Sequence, residues 1–232
     1  MGFPLYRALR DWRRIMARSP RETDVVICRR YLAAIPLMLM ACTTGSTYDV
    51  LDEYEELDAT TEVDAPSPIP GSYSPDNRDA IEQGKYMVGL LGCGVCHTDG
   101  ALAGAPDREK PLAGSRTGIA YTNPLEYHEP GVVYPPNITP DEETGIGRWS
   151  DEQIALAIRA GLSIHIGSPI TVMPWQGYSA LRDDDIKAVV AYLRSIKPVR
   201  HRVPAKVQPG SKAIEPFVYF GVYQDRKDQA RD

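Results

Sequence analysis

The feature that most constrains the fold is the five-residue motif Cys93-Gly94-Val95-Cys96-His97. Two thiols separated by two residues can each form a thioether with a vinyl group of one haem, and the adjacent histidine can then ligate the iron. A chain built this way has to fold around a large covalently attached group. The motif therefore predicts one covalently bound haem c, attached through Cys93 and Cys96, with His97 as an iron ligand.

Two other functions of a Cys-x-x-Cys pair fit this sequence less well. A thioredoxin-like redox motif would need a βαβ context, which the sequence lacks, and a zinc site would need two more ligands nearby. The other two cysteines, Cys28 and Cys42, precede the motif by more than 50 residues and belong to a different part of the chain.

The first 41 residues differ in charge from the rest. They carry 8 Arg against 3 Asp or Glu, whereas residues 42–232 carry 18 Lys or Arg against 28 Asp or Glu. The uncharged run from Tyr31 to Ala41 has the length of a signal-peptide core and is too short to cross a bilayer. Leu39-Met40-Ala41-Cys42 resembles a bacterial lipobox. Residues 1–41 are thus predicted to be a lipoprotein signal peptide and Cys42 to be lipidated; the alternative is an ordinary signal peptide with an incidental cysteine.

Residues 42–75 have the composition of a tether. Eight acidic residues fall between Asp49 and Asp64, and four prolines follow before residue 76. Such a segment buries little apolar surface and repels itself, which favours an extended, flexible chain. We therefore expect a domain anchored by lipid on the periplasmic side of the bacterial cell envelope. The alternative is that part of the segment packs on the domain or on a partner.

Composition excludes several classes of protein. With 43% hydrophobic and 25% charged residues, the chain is neither disordered nor a polytopic membrane protein. Its net charge of −5 argues against a nucleic-acid partner.

Three stretches around the motif show a wider resemblance. They are an amphipathic segment at 76–91, the loop Lys110-Pro111-Leu112-Ala113-Gly114, and Met173-Pro174-Trp175 followed by an apolar stripe at helical spacing over 183–197. Together with the haem motif, residues 76–200 resemble a monohaem class I cytochrome c. This resemblance implies an all-α fold, with three or more helices around one haem and with long loops. It also implies that the first and last helices cross, for which Gly84 and Tyr192 are the candidate contact residues.

The resemblance further implies two residues of the haem site. Pro111 is the proline whose carbonyl would accept a hydrogen bond from His97 Nδ1. Met173 is the predicted sixth ligand of the iron, and elimination agrees, because Met87 is the only other methionine after residue 41 and is too close to Cys93. The alternatives are a histidine (His128, His165 or His201) and an open site.

Residues 134–149 carry a more specific resemblance. Tyr134-Pro-Pro-Asn-Ile-Thr-Pro-Asp141 and Gly145-Ile-Gly-Arg-Trp149 are similar to a subgroup that occurs as cytochrome subunits or partners of bacterial periplasmic dehydrogenases. Trp149 or Arg148 could bond a haem propionate, although core packing is an equal alternative for Trp149. Ser150 and Gln153 next predict a capping box at the start of a helix.

Two regions exceed a minimal haem domain. Residues 115–147 are predicted to be an Ω-like loop over the haem edge. Residues 201–232 are expected to form an irregular C-terminal extension that packs on its own domain or docks a partner subunit.

These features predict electron transfer rather than enzymatic catalysis. Histidine and methionine fill both axial positions of the iron, and the thioether favours Fe(II). The expected partners are redox proteins or subunits of a respiratory complex, and the membrane through the lipid. The alternative function is a haem enzyme or gas sensor with a labile sixth ligand.

Overall fold

The computed structural model describes residues 54, 55, 57, 63–163, 168–169 and 172–221. The predicted signal peptide (1–41) and Cys42 lie outside these residues. The helices are α1 (Arg78–Leu90), α2 (Cys93–His97), α3 (Asp151–Ala160), α4 (Trp175–Tyr178) and α5 (Asp183–Ser195). The strands are β1 (Gly118–Ala120), β2 (Val132–Val133), β3 (Leu162–Ser163), β4 (Ser168–Pro169) and β5 (Phe217–Val218). None of the helices in this part of the chain has the length and apolarity to span a bilayer.

The centre of the fold is the crossing of α1 and α5. A Cβ atom on Gly84 would lie 2.0 Å from the carbonyl oxygen of Ala188 and 2.7 Å from Cβ of Tyr192. Only glycine permits the two helices to approach this closely. The predicted contact between Gly84 and Tyr192 is confirmed, and Tyr192 is fully buried there.

The main core surrounds this crossing and is lined by aliphatic side chains at helical spacing. Its buried residues are Ile81, Met87, Val88, Leu112, Ile146, Ile154, Ile186, Val189, Val190, Tyr192, Leu193 and Ile196. Helix α3 joins the core through Ile154. Its predicted capping box is confirmed, because Ser150 Oγ accepts from Gln153 N and Gln153 Oε1 accepts from Ser150 N.

Arg194, near the end of α5, ties that helix to the segment before α3. Its Nη1 donates to the carbonyls of Ile146 (3.1 Å) and Gly147 (3.2 Å), and its Nη2 donates to that of Trp149. Its Nε donates to the carboxylate of Asp151 at 3.0 Å. The Arg194 guanidinium thus supplies hydrogen-bond donors to loop carbonyls that are not paired in a helix or a sheet.

The 115–147 loop and the described part of the C-terminal extension form a second, smaller layer. Strand β1 pairs antiparallel with β2, with Ile119 opposite Val133, and parallel with β5. Val132 also forms an antiparallel bridge with Val207. Apolar residues from both regions make a second cluster, comprising Ala120, Val132, Tyr134, Val203, Val207, Ala213, Phe217 and Tyr219.

The strands change one expectation, and the second cluster decides between the alternatives for another. The described part of the chain is not all-α, because two irregular segments that bury apolar side chains against each other must also pair their backbone groups, and short strands do so. Of the two alternatives for the extension, residues 201–221 take the first and pack on their own domain. Residues 222–232 lie outside the described part.

The end of the predicted tether follows the alternative, in which part of the segment packs on the domain. From residue 63 the chain lies on α1 and α5: Tyr192 Oη donates to the Pro66 carbonyl at 2.6 Å, and Ile69 N donates to the Ser195 carbonyl at 2.8 Å. Ala65 and Tyr73 pack against the main core. Proline-rich backbone has few N–H donors, so it can cover a helix pair without burying unpaired ones.

Candidate haem site

The haem motif forms the short helix α2. Gly92, in the left-handed region at φ 68°, turns the chain after α1 and immediately precedes Cys93. Cys93 and Cys96 are one helical turn apart, so their thiols lie on the same face. Both are free and half-buried. Burial raises the pKa of Cys93 to about 11 and also raises the pKa of Cys96.

His97 is oriented by a backbone carbonyl. Its Nδ1 lies 2.7 Å from the carbonyl oxygen of Pro136. Burial lowers the pKa of the imidazole, which favours the neutral ring. Because a carbonyl can only accept, this contact places the proton on Nδ1 and the lone pair on Nε2, the tautomer that ligates a metal.

This contact corrects the role predicted for Pro111. The Lys110–Gly114 loop does run beside His97, but it bonds the backbone: Gly114 N donates to the His97 carbonyl at 2.8 Å. The chain at 135–138 lies on the far side of that loop and reaches the ring. Pro111 instead lines a groove of about 900 Å³ with Arg108, the outer face of α1 and residues 63–67. The tandem prolines at 135–136, within a motif already singled out, were the available signal for the acceptor.

The segment that carries Met173 lies close to the two cysteines. Met173 is half-buried in a bend before α4, and its carbonyl accepts from Trp175 N at 2.8 Å. Tyr178, at the end of α4, donates its hydroxyl to the Leu91 carbonyl at 3.1 Å. Burial, and then the nearby thiols of Cys93 and Cys96, raise the pKa of Tyr178 to about 12.

The alternative ligands sit less favourably where they are described. His128 is exposed. His201 contacts the Ala113 carbonyl through Nδ1 at 2.9 Å, in the loop whose Gly114 N bonds the His97 backbone. His165 lies outside the described residues. Met87 is buried in the main core.

Trp149 packs against the main core, as the packing alternative expected, while Arg148 is exposed. Contact of either residue with a haem propionate stays a prediction. Within the described ranges, no group of three or more His, Cys, Asp or Glu is arranged to hold a metal ion. The residues present fit a covalent haem: two free thiols stand on one helical face, beside a neutral histidine whose Nε2 is available.

Comparison with known proteins identifies the family of the chain. The model of the cytochrome c family matches residues 81–197, about half of the chain. Similar proteins include a nicotinate dehydrogenase subunit of Pseudomonas putida, which is 37% identical over 54% of this chain and 9% of its own length. The cytochrome c subunit of the quinone alcohol dehydrogenase of Gluconobacter oxydans is 36% identical over 51% of this chain and 22% of its own. The fructose dehydrogenase cytochrome subunit of Gluconobacter japonicus is 33% identical over 53% and 23%.

The chain therefore spans less than a quarter of the length of these relatives. The match nevertheless takes in the crossing helices, the Cys-x-x-Cys-His helix, the Pro136 carbonyl and Met173. This chain belongs to the cytochrome c family.

Proposed function

We propose that the chain carries single electrons through one covalent haem c ligated by His97 and Met173. The observation that carries the proposal is the hydrogen bond between His97 Nδ1 and the Pro136 carbonyl, which holds the ring in its ligating tautomer. When bound, a haem of this kind cycles between Fe(III) and Fe(II).

The chain's own residues favour electron transfer over ligand chemistry. The carbonyl contact makes the His97 imidazole a stronger donor, and the Met173 thioether favours Fe(II). His97 ends α2, beside the packed crossing of α1 and α5, and Met173 is half-buried in the bend before α4. Fixed surroundings of this kind would keep both ligands in place between the two oxidation states. His97 and Met173 would together fill both axial positions of a bound haem, which would leave no open position for oxygen or peroxide.

The partner is proposed to be a bacterial dehydrogenase or respiratory complex in the periplasm. The support comes from relatives named as cytochrome subunits of alcohol, fructose and gluconate dehydrogenases. On this proposal the chain is a subunit or partner that accepts electrons and passes them on, and it performs no substrate chemistry itself.

Lipidation at Cys42 would hold the domain at a membrane. The domain holds the chain well before residue 76: the Tyr54 ring lies 6.4 Å from the Phe217 ring, and Tyr192 Oη donates to the Pro66 carbonyl. A lipid on Cys42 would therefore stand close in sequence to residues that contact the domain, and it would keep the haem site near a membrane-bound partner.

The test is a potentiometric titration of the haem-loaded full chain, combined with exposure of the reduced form to carbon monoxide. We expect a one-electron transition and no carbon monoxide complex without denaturant. A carbon monoxide complex in native buffer would contradict a closed site and favour the alternative, a haem enzyme or gas sensor with a labile sixth ligand.

A further inference from the structure

Asn137 follows Pro136 in the chain. Its side-chain amide is buried, and all of its hydrogen-bond donors and acceptors have partners. Its Nδ2 donates to the Val199 carbonyl at 2.7 Å and to Thr144 Oγ1 at 3.0 Å. Its Oδ1 accepts from Thr139 N at 2.9 Å and from Thr139 Oγ1 at 2.7 Å. An amide has two donor hydrogens and two acceptor lone pairs, so this side chain is held at all four.

The partners of Asn137 are themselves fixed. Thr144 Oγ1 donates to Asp141 Oδ1 at 2.7 Å and accepts from His201 N at 3.0 Å. Thr139 Oγ1 accepts from Val199 N at 3.1 Å. The network therefore joins the loop at 137–144 to the chain that leaves α5. The Thr139 hydroxyl lies closer to Asn137 Oδ1, at 2.7 Å, than to the Val199 carbonyl, at 3.4 Å.

This network controls the peptide that faces His97. The carbonyl that accepts from Nδ1 belongs to the peptide bond between Pro136 and Asn137, so the anchored Asn137 sets the plane of that carbonyl. On its other side the peptide packs on Gly114: a Cβ there would lie 2.7 Å from Asn137 N and 2.9 Å from the Pro136 carbonyl carbon. Pro136 itself has no N–H with which to hold its position.

We propose that Asn137 is a positioning residue for the proximal ligand, acting on His97 through the Pro136 carbonyl. The inference rests on the proposed function, because it concerns how strongly His97 donates to a bound haem iron. Loosening Asn137 lets the carbonyl turn away from Nδ1, which weakens the ligand and shifts the balance toward Fe(II).

The experiment compares the haem-loaded full chain with Asn137→Ala and with a matched control, Val132→Ala. Val132 is fully buried in the second cluster, in the same 115–147 loop as Asn137, and makes none of the hydrogen bonds of the network. Three quantities are measured: thermal stability, midpoint potential, and the exchange rate of the His97 Nδ1 proton, followed by NMR in the reduced form with labelled histidine.

Both variants are expected to lose thermal stability. Asn137→Ala alone should raise the midpoint potential and speed exchange of the Nδ1 proton, and each tenfold shift in favour of Fe(II) corresponds to about 59 mV for one electron. This comparison requires that the wild type is low-spin and haem-loaded. If the two variants then have equal midpoint potentials and equal exchange rates, the inference is overturned and the proposed function is left intact.

A second variant covers the case in which Asn137→Ala does not fold. Thr144→Val removes one of the four contacts of the amide and keeps the contacts to Val199 and Thr139. We expect smaller changes of the same sign. An unchanged potential and an unchanged exchange rate in Thr144→Val would overturn the inference, whereas a wild type without low-spin haem would overturn the proposed function and the inference with it.

Discussion

Replacing Gly84 with alanine should break the helix crossing on which the site is built. The added Cβ would stand 2.0 Å from the Ala188 carbonyl oxygen, whereas real Cβ contacts stay beyond about 3 Å. The blocking atom belongs to the backbone of α5, so no side-chain rotation relieves the clash. The helices must separate by about 1 Å along a fully buried contact that includes Tyr192.

The expected change in the free energy of unfolding follows from two opposing contributions. Overpacking of a core costs about 1–3 kcal/mol, and we place this case at the upper end because the contact is with backbone. Glycine to alanine inside a helix returns about 0.5–1 kcal/mol. The net loss is about 2 kcal/mol, which corresponds to a fall in Tm of about 4–8 °C for a domain of this size.

Gly89 provides the matched control on the same helix. A Cβ at Gly89 meets nothing within 4 Å. Gly89→Ala should therefore show only the helical gain of about 0.5–1 kcal/mol, with a slightly higher Tm. Thermal unfolding followed by far-UV circular dichroism on haem-loaded protein measures both variants. A Gly84→Ala protein as stable as Gly89→Ala would refute the close crossing.

Three further predictions concern hydrogen bonds that stabilise the domain. Ser150→Ala should lower the free energy of unfolding by about 1 kcal/mol, measured by denaturant titration, because the capping box loses its acceptor; an unchanged midpoint would contradict the cap. Tyr192→Phe should cost about 1 kcal/mol and speed proteolysis near Pro66, because the hydroxyl no longer holds that carbonyl; an unchanged cleavage rate would count against this attachment. The hydrogen bonds to Asp141, first from the Thr144 hydroxyl and then from its N–H, lower the pKa of the carboxyl. They therefore stabilise the fold above the usual pKa of the carboxyl, and this stabilisation is lost as pH falls through the lowered pKa. Wild type and Asp141→Asn should thus differ most in stability at neutral pH and converge in acid, and a gap that does not narrow with acidification would contradict this.

The helices and their crossing could be predicted from the sequence because their causes are local or pairwise. The apolar spacing in α5, the three aspartates at its start and Pro198 after its end each act within a turn or two. The Ser150–Gln153 capping box is likewise a four-residue pattern. Gly84 and Tyr192 are distant in sequence, but the resemblance to a known fold supplied their pairing.

The acceptor for His97 could not be predicted in the same way because it depends on a turn. Leu112 takes a left-handed conformation at φ 62°, and Gly114 follows at φ 88°. These two residues direct the Lys110–Gly114 loop along the backbone beside His97, so the next chain segment reaches the ring. A non-glycine residue in this region has little sequence signal, since it is held there by packing.

The strands were not predicted, and the packed end of the tether was predicted only as an alternative, for a related reason. Residues 118–120 and 217–218 pair across about 100 residues, and each strand is too short to show an alternating pattern. Composition alone favoured a flexible chain up to residue 75. It carried no information about the surface formed by α1 and α5, on which Pro66 and Ile69 find partners.

The most direct test of the central claim is the absorption spectrum of the full chain produced with haem-attachment machinery, recorded oxidised and reduced, for wild type and Met173→Ala. We expect haem that stays bound through denaturation, a low-spin spectrum, and a weak long-wavelength sulfur-to-iron band that Met173→Ala abolishes. Haem that extracts from the denatured protein would contradict attachment through Cys93 and Cys96. A spectrum that Met173→Ala leaves unchanged would contradict the His97/Met173 ligand pair.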